Sequence, residues 1–138
     1  MNRCVVLDAG AMSALSGRPG RRNQEVRAAL RAAARLGRRV VVPSVILAEL
    51  YRGPHHNQLV DACLSRETGI EVRDTDRGLA RLVGGVLAAA QAGSSYLADA
   101  HVVAAAVELG GGLALTTDPE DLNRLAAAYR NVTVVGLP

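Results

Sequence analysis

Four carboxylates stand where this chain would otherwise be apolar. Asp8 closes the run Cys4-Val5-Val6-Leu7, Glu49 falls within residues 45–51, Asp99 within the apolar segment 97–109, and Asp118 follows Leu113-Ala114-Leu115-Thr116. A carboxylate set against a core is costly unless it is paired or bound to a metal. Carboxylates about 5 Å apart repel by roughly 3 kcal/mol per pair at an effective dielectric near 20, so gathering several in one place needs compensation. A divalent cation removes that penalty. An all-oxygen donor set without cysteine or histidine suits Mg²⁺ or Mn²⁺ rather than Zn²⁺.

Each acid also has a structural explanation of its own. Asp8, before Ala9-Gly10, is a natural cap for a following turn or helix. Glu49 can pair with Arg52 one turn on, although Val45, Ile46, Leu47, Ala48, Leu50 and Tyr51 leave little obviously wet face. Asp99, after Ser94-Ser95, suits the first turn of a helix, where it complements the dipole. Asp118, followed by Pro119, is a ready N-cap with proline at the first helical position. The conjunction of the four, rather than any one, points to a shared site.

The elements that must position these acids alternate between short β-branched runs and longer helical patterns. Strands are expected at residues 4–7, 39–42, 70–72, 113–116 and 132–135. Helices are expected at 22–36 (stopped by Gly37), 45–52 (capped by Ser44), 55–66, 77–90 (capped by Thr75), 97–109 and 119–129. Strands joined by helical crossovers pair in parallel, and parallel α/β sheets bind ligands at the carboxyl ends of their strands. Asp8 and Asp118 fall at two such ends.

The 138 residues match one ordinary domain, read here as a single unit over residues 1–138. Hydrophobic residues make up 49% and aromatics 2%, so the core must be aliphatic and alanine-rich, and stacking on nucleic-acid bases is hardly available. All basic residues are arginine, and the net charge of +3 permits a polyanionic partner without demanding one. Cys4 and Cys63 lie in apolar surroundings and read as buried, reduced thiols of a cytoplasmic protein. The first apolar run breaks at Asp8, too early for an export signal. The uncharged stretch 82–98 contains Gly84, Gly85, Gln91, Gly93, Ser94 and Ser95 and is no membrane span.

Four segments taken in order, Leu7-Asp8-Ala9-Gly10-Ala11-Met12, residues 45–53, Ala98-Asp99-Ala100-His101-Val102-Val103-Ala104 and Leu115-Thr116-Thr117-Asp118, resemble the motifs of PIN-domain ribonucleases. Within that family the chain is most similar to the VapC toxins of toxin-antitoxin pairs. The resemblance implies a three-layer α/β/α fold with a central parallel sheet of about five strands in the order 3-2-1-4-5. It also implies Mg²⁺- or Mn²⁺-dependent endoribonuclease activity, a homodimer and a small cognate antitoxin. Carried over residue by residue, Asp8, Glu49, Asp99 and Asp118 take the places of the acidic quartet, and Asp121 is a second acid near the fourth motif. Tyr96 stands just before the third motif, where some relatives carry a polar or acidic residue.

On this reading Asp8, Asp99 and Asp118 hold the metal, and Glu49 binds it through water or helps to deprotonate the nucleophile. Thr116 and Thr117 would hydrogen-bond metal water or phosphate. Arg27, Arg31, Arg35 and Arg38 recur at helical spacing and offer a basic ridge for RNA phosphates, or else a solvated face, while Val26, Leu30 and Ala33 pack inward. His55-His56 are expected on the surface, and His101 as a satisfied buried histidine. Three rival readings remain open: a haloacid dehalogenase-like phosphatase, which needs an Asp where Gly10 stands, a PIN nuclease that processes RNA without an antitoxin, and a catalytically silent PIN binding module.

Overall fold

The computed structural model describes residues 3–137. Five strands, β1 (Cys4–Leu7), β2 (Arg39–Pro43), β3 (Ile70–Arg73), β4 (Gly112–Thr116) and β5 (Val132–Gly136), form one all-parallel sheet in the order β3-β2-β1-β4-β5. Each expected strand is present within a residue of its expected ends. The central strand β1 is buried along its whole length, as a strand covered on both faces must be, whereas edge strand β3 leaves Glu71 and Val72 exposed.

Among the described residues seven α-helices connect the strands: α1 (Ala9–Ser16), α2 (Arg21–Arg35), α3 (Ser44–Leu50), α4 (Pro54–Arg66), α5 (Arg77–Ala90), α6 (Leu97–Glu108) and α7 (Pro119–Ala126), with a short 3-10 helix at Ser94–Tyr96 leading into α6. The chain steps outward from β1 to β2 to β3, then returns to β4 and steps the other way to β5. Right-handed crossovers therefore put the two sets of helices on opposite faces of the sheet. Helices α1 to α4 pack among themselves on one side and α5 to α7 on the other, giving three layers. Helix α6 packs on β1, β2 and β4, and every residue from Ala100 to Ala106 is buried. Its alanines permit that close approach of helix to sheet.

Several local expectations change. Residues 9–16, read only as a possible turn or helix after Asp8, form the two-turn helix α1, whose Ala11, Met12 and Leu15 enter the core. The cap of α5 is Asp76 and not Thr75, because the Asp76 carboxylate accepts from the Leu79 N–H at 2.9 Å. Ser44 does not cap α3: Pro43 holds the cap position, and no side-chain cap bond forms there. Helix α7 stops at Ala126 instead of running on to Tyr129. Helix α3 does have a wet face, since only Ile46 and Leu47 are buried while Ala48 and Glu49 are exposed. Arg52 reaches the backbone carbonyl of Glu49 at 2.9 Å rather than its carboxylate, so the ion pair open to Glu49 as a structural alternative is not made among the described residues.

Cys4 and Cys63 are free, buried thiols, each pushed up in pKa chiefly by burial. Among the described residues no helix is long and apolar enough to cross a membrane.

Candidate active site

The parallel register sets Leu7 beside Leu115, so the residues that leave β1 and β4 emerge side by side at the carboxyl rim of the sheet. Asp8 follows Leu7 in extended backbone, and its N–H continues the ladder to the Leu115 carbonyl at 3.2 Å. Its carboxylate accepts from the Ala11 N–H at 2.8 Å and so caps α1, a bond that typically stabilises a helix by ~1 kcal/mol. Only 6% of Asp8 is exposed, and burial is the largest cause of its raised pKa. Bonds from the Thr116 hydroxyl and the N–H groups of Ala11 and Gly10 oppose that rise, while the charge of Asp118 adds to it.

Thr116, at the end of β4, is fully buried. Its hydroxyl donates to Asp8 and accepts from the Asp118 N–H at 2.9 Å, tying the exits of the two strands together. Thr117 serves differently, through Gly10: a Cβ at that glycine would collide with the Thr117 hydroxyl oxygen and crowd its Cβ at 3.0 Å. The first turn of α1 can thus lie against the β4 exit only because residue 10 has no side chain.

Asp118 occupies the N-cap position of α7 with Pro119 behind it, but its side chain makes no capping bond. The carboxylate is exposed and uncommitted to the helix. Asp99 lies in the first turn of α6, half-buried, and its pKa is pushed up to about 6. Burial is the largest cause, followed by the charges of Asp8, Asp121, Glu49 and Asp118, in that order; every charge that contributes is an acid's. The expected quartet therefore shares one electrostatic field, and Asp121 acts on Asp99 more strongly than Asp118 does. Asp118 in turn is the charge felt by Asp8. Among the described residues none of these five acids enters a salt bridge, and no three metal-ligating side chains stand close enough to make a ready cage.

Glu49 stands at the outer lip, on the exposed side of α3, in a groove of about 290 Å³ lined by Ser13, Gly17, Arg52 and His56 among others. A second cavity of about 290 Å³ adjoins the rim at Gly10 and Thr117, and Arg18 and Arg22 line it. These two arginines, not singled out in the sequence, reach this end of the molecule because α2 begins at the carboxyl end of the sheet. Asn23 holds that corner, donating to the Ala14 and Leu15 carbonyls at 3.1 and 3.0 Å. The arginines expected to hold RNA lie elsewhere: Arg27, Arg31 and Arg38 line a cavity that includes Val40 and Ile70, at the amino ends of β2 and β3, and Arg35 is exposed outside it. His55 and His56 are exposed, and His101 is buried with Nδ1 2.8 Å from the Leu97 carbonyl.

The model of the PIN domain family matches residues 5–128. The chain belongs to the PIN domain family. The fold is similar to that of a solved structure: the crystal structure of VapBC2 from Rickettsia felis, bound to a DNA fragment from their promoter, superposes with a TM-score of 0.66. That likeness covers 98% of this chain and 99% of the other at 14% sequence identity. Comparison with curated proteins yields no match. In this PIN domain the acids at the rim come from the ends of β1 and β4 and from α3, α6 and α7, so five separate segments build the site.

Proposed function

We propose that this PIN domain is an endoribonuclease dependent on Mg²⁺ or Mn²⁺ and the toxin of a toxin-antitoxin pair. The observation that carries the reading is Asp99, a half-buried carboxylate whose raised pKa comes from burial and from four other acids, with no basic group opposing it. An arrangement of that kind strains the fold unless it binds a cation, and its all-oxygen donors fit a hard divalent ion. Asp8, Asp99 and Asp118 would hold the metal, with Asp121 sharing the place of Asp118. The metal, when bound, supplies charge stabilisation for an in-line displacement at a phosphodiester.

The chain's own residues do the rest. Thr116 fixes the Asp8 carboxylate and the Asp118 backbone relative to one another. Glu49, exposed at the lip, is placed to accept a proton from an entering water. Arg18 and Arg22, which line a cavity with Thr117, would hold the RNA strand at the rim. The VapBC2 relative was solved together with its partner, which supports a small antitoxin for this chain, and a homodimer is part of the same proposal.

The test is cleavage of RNA by purified protein with Mg²⁺, with Mn²⁺ and with EDTA, for wild type and Asp99→Asn. Metal-dependent cleavage by wild type alone is expected, whereas equal cleavage by the two proteins, or cleavage in EDTA, overturns the mechanism. Mapping new RNA ends after controlled expression then identifies the target, and rescue of growth by a co-expressed neighbouring small protein separates a toxin from an RNA-processing nuclease.

A further inference from the structure

At the pole of the sheet opposite the carboxylates lies a cavity of about 340 Å³ with four guanidinium groups and one carboxylate in its lining. Arg27, Arg31 and Arg38 come from α2 and the residues just after it, Arg66 ends α4, and Glu67 is the lone acid. Leu30, Val40 and Ile70 supply an apolar floor. Neither the arrangement nor its chemistry belongs to the rim, since β2 and β3 begin here and end there; a strand of five residues spans roughly 16 Å.

Elsewhere in this protein three arginines are matched by side-chain partners. Arg39 makes two bonds to Glu71 at 2.9 and 2.8 Å, Arg73 binds Glu108 and Asp76, and Arg124 donates to the Tyr96 hydroxyl while lying over its ring. Around this cavity the pattern reverses. None of its four arginines enters a salt bridge among the described residues, and Arg27 carries a buried Nε without a hydrogen-bond partner. Like charges gathered in a concavity, with a buried donor unsatisfied, are what an anion with several acceptor oxygens would stabilise. Arginine forks match phosphate geometry. The volume lies at the small end of ligand pockets, large enough for a phosphate with its sugar attached.

We infer that this cavity binds the phosphate of a nucleotide, either a terminal monoester or a diester within an RNA strand. For a nuclease at the other pole it would be a second foothold on the strand, but its binding does not depend on the carboxylates. That independence makes the two readings separable by experiment.

The experiment is fluorescence anisotropy of a labelled single-stranded RNA in EDTA, with adenosine 5′-monophosphate as competitor, on the full chain. Wild type should bind the RNA with no divalent ion present. The double variant Arg31→Gln/Arg66→Gln, at two exposed positions, should bind about tenfold more weakly, with the slope of log affinity against log salt reduced by about two. Arg31→Glu/Arg66→Glu should bind more weakly still, and thermal melts confirm that both variants fold. Competition by the monophosphate, lost in the double variants, assigns the site to a terminal phosphate; RNA binding without that competition assigns it to the backbone diester. The inference is overturned if the double variants bind as wild type does, or if Arg81→Gln, an exposed arginine on α5 outside the cavity, weakens binding equally. It is also overturned if an oligoglutamate peptide displaces the RNA as readily as the unlabelled strand does, which would mark a surface for an acidic protein.

Discussion

Two clusters of acids in this molecule have opposite electrostatics. At the edge of the sheet Glu71, Asp76 and Glu108 surround Arg39 and Arg73; the arginine lowers the pKa of Glu71, and Asp76 is lowered first by the Leu79 N–H and then by Arg73. At the carboxyl rim Asp8, Glu49, Asp99, Asp118 and Asp121 enter no salt bridge among the described residues, and Asp99 is pushed up to about 6. The residue types are the same; what differs is whether the fold supplies a cation. The edge cluster is complete in itself and serves stability, while on the proposed reading the rim is completed by a bound cation.

The sharpest way to break that contrast is to remove a rim carboxylate. Asp8→Asn or Asp99→Asn should lower metal-dependent RNA cleavage on the order of a thousandfold, the several kcal/mol expected when charge stabilisation at phosphorus is lost. Retained cleavage in a gel assay would put the rim on the same footing as the edge.

The same change should make the metal-free protein more stable. Because Asp99 titrates near 6 in the fold against an ordinary 3.8, its charge opposes folding at all pH values above that window and ceases to do so as the carboxyl protonates. Melting in EDTA should therefore show Asp99→Asn more stable than wild type by about 2 kcal/mol at pH 7.5, with the gap closing as pH falls from about 7 to 4. Mn²⁺ should raise the melting temperature of wild type and not of the variant. At the edge the sign reverses: the lowered values of Glu71 and Asp76 contribute stability at neutral pH that is lost on acidification through those values.

Gly10→Ala should destabilise by about 1–3 kcal/mol through the collision with Thr117, and Thr117→Ala should recover part of that loss in the double variant. An additive cycle in denaturant titrations would show that the two do not press on one another. The smallest effect belongs to the edge: Glu71→Gln should cost under about 1 kcal/mol, since both it and Arg39 are about half-exposed, and should leave RNA cleavage unchanged.

Much of the scaffold was legible locally. The five strands announce themselves as short β-branched runs, and α6 as a segment apolar all round, because burial on both sides of a sheet or around a helix writes an unbroken hydrophobic stretch. The acids at Asp8, Asp99 and Asp118 were conspicuous for the same reason, as charges set in or beside such stretches. What could not be read were contacts made across the sheet. Gly10 looks like an ordinary turn glycine until Thr117 is placed against it. Thr116 looks free for a ligand until Asp8 and the Asp118 N–H take up its hydroxyl. Glu49 looks buried from its neighbours, yet α3 is short and turns that side outward.

From the sequence alone came the list of carboxylates, the α/β alternation and, through the ordered motifs, the family, since all of these are patterns along the chain set by burial and spacing. Only the tertiary structure decided which charges meet. Parallel pairing of β1 with β4 draws residues more than a hundred positions apart to one rim, and the direction of α2 carries Arg18 and Arg22 to that rim while taking Arg27, Arg31 and Arg38 to the far pole. Coulomb energy depends on distance through space, which strand order and helix direction fix and the order of residues along the chain does not.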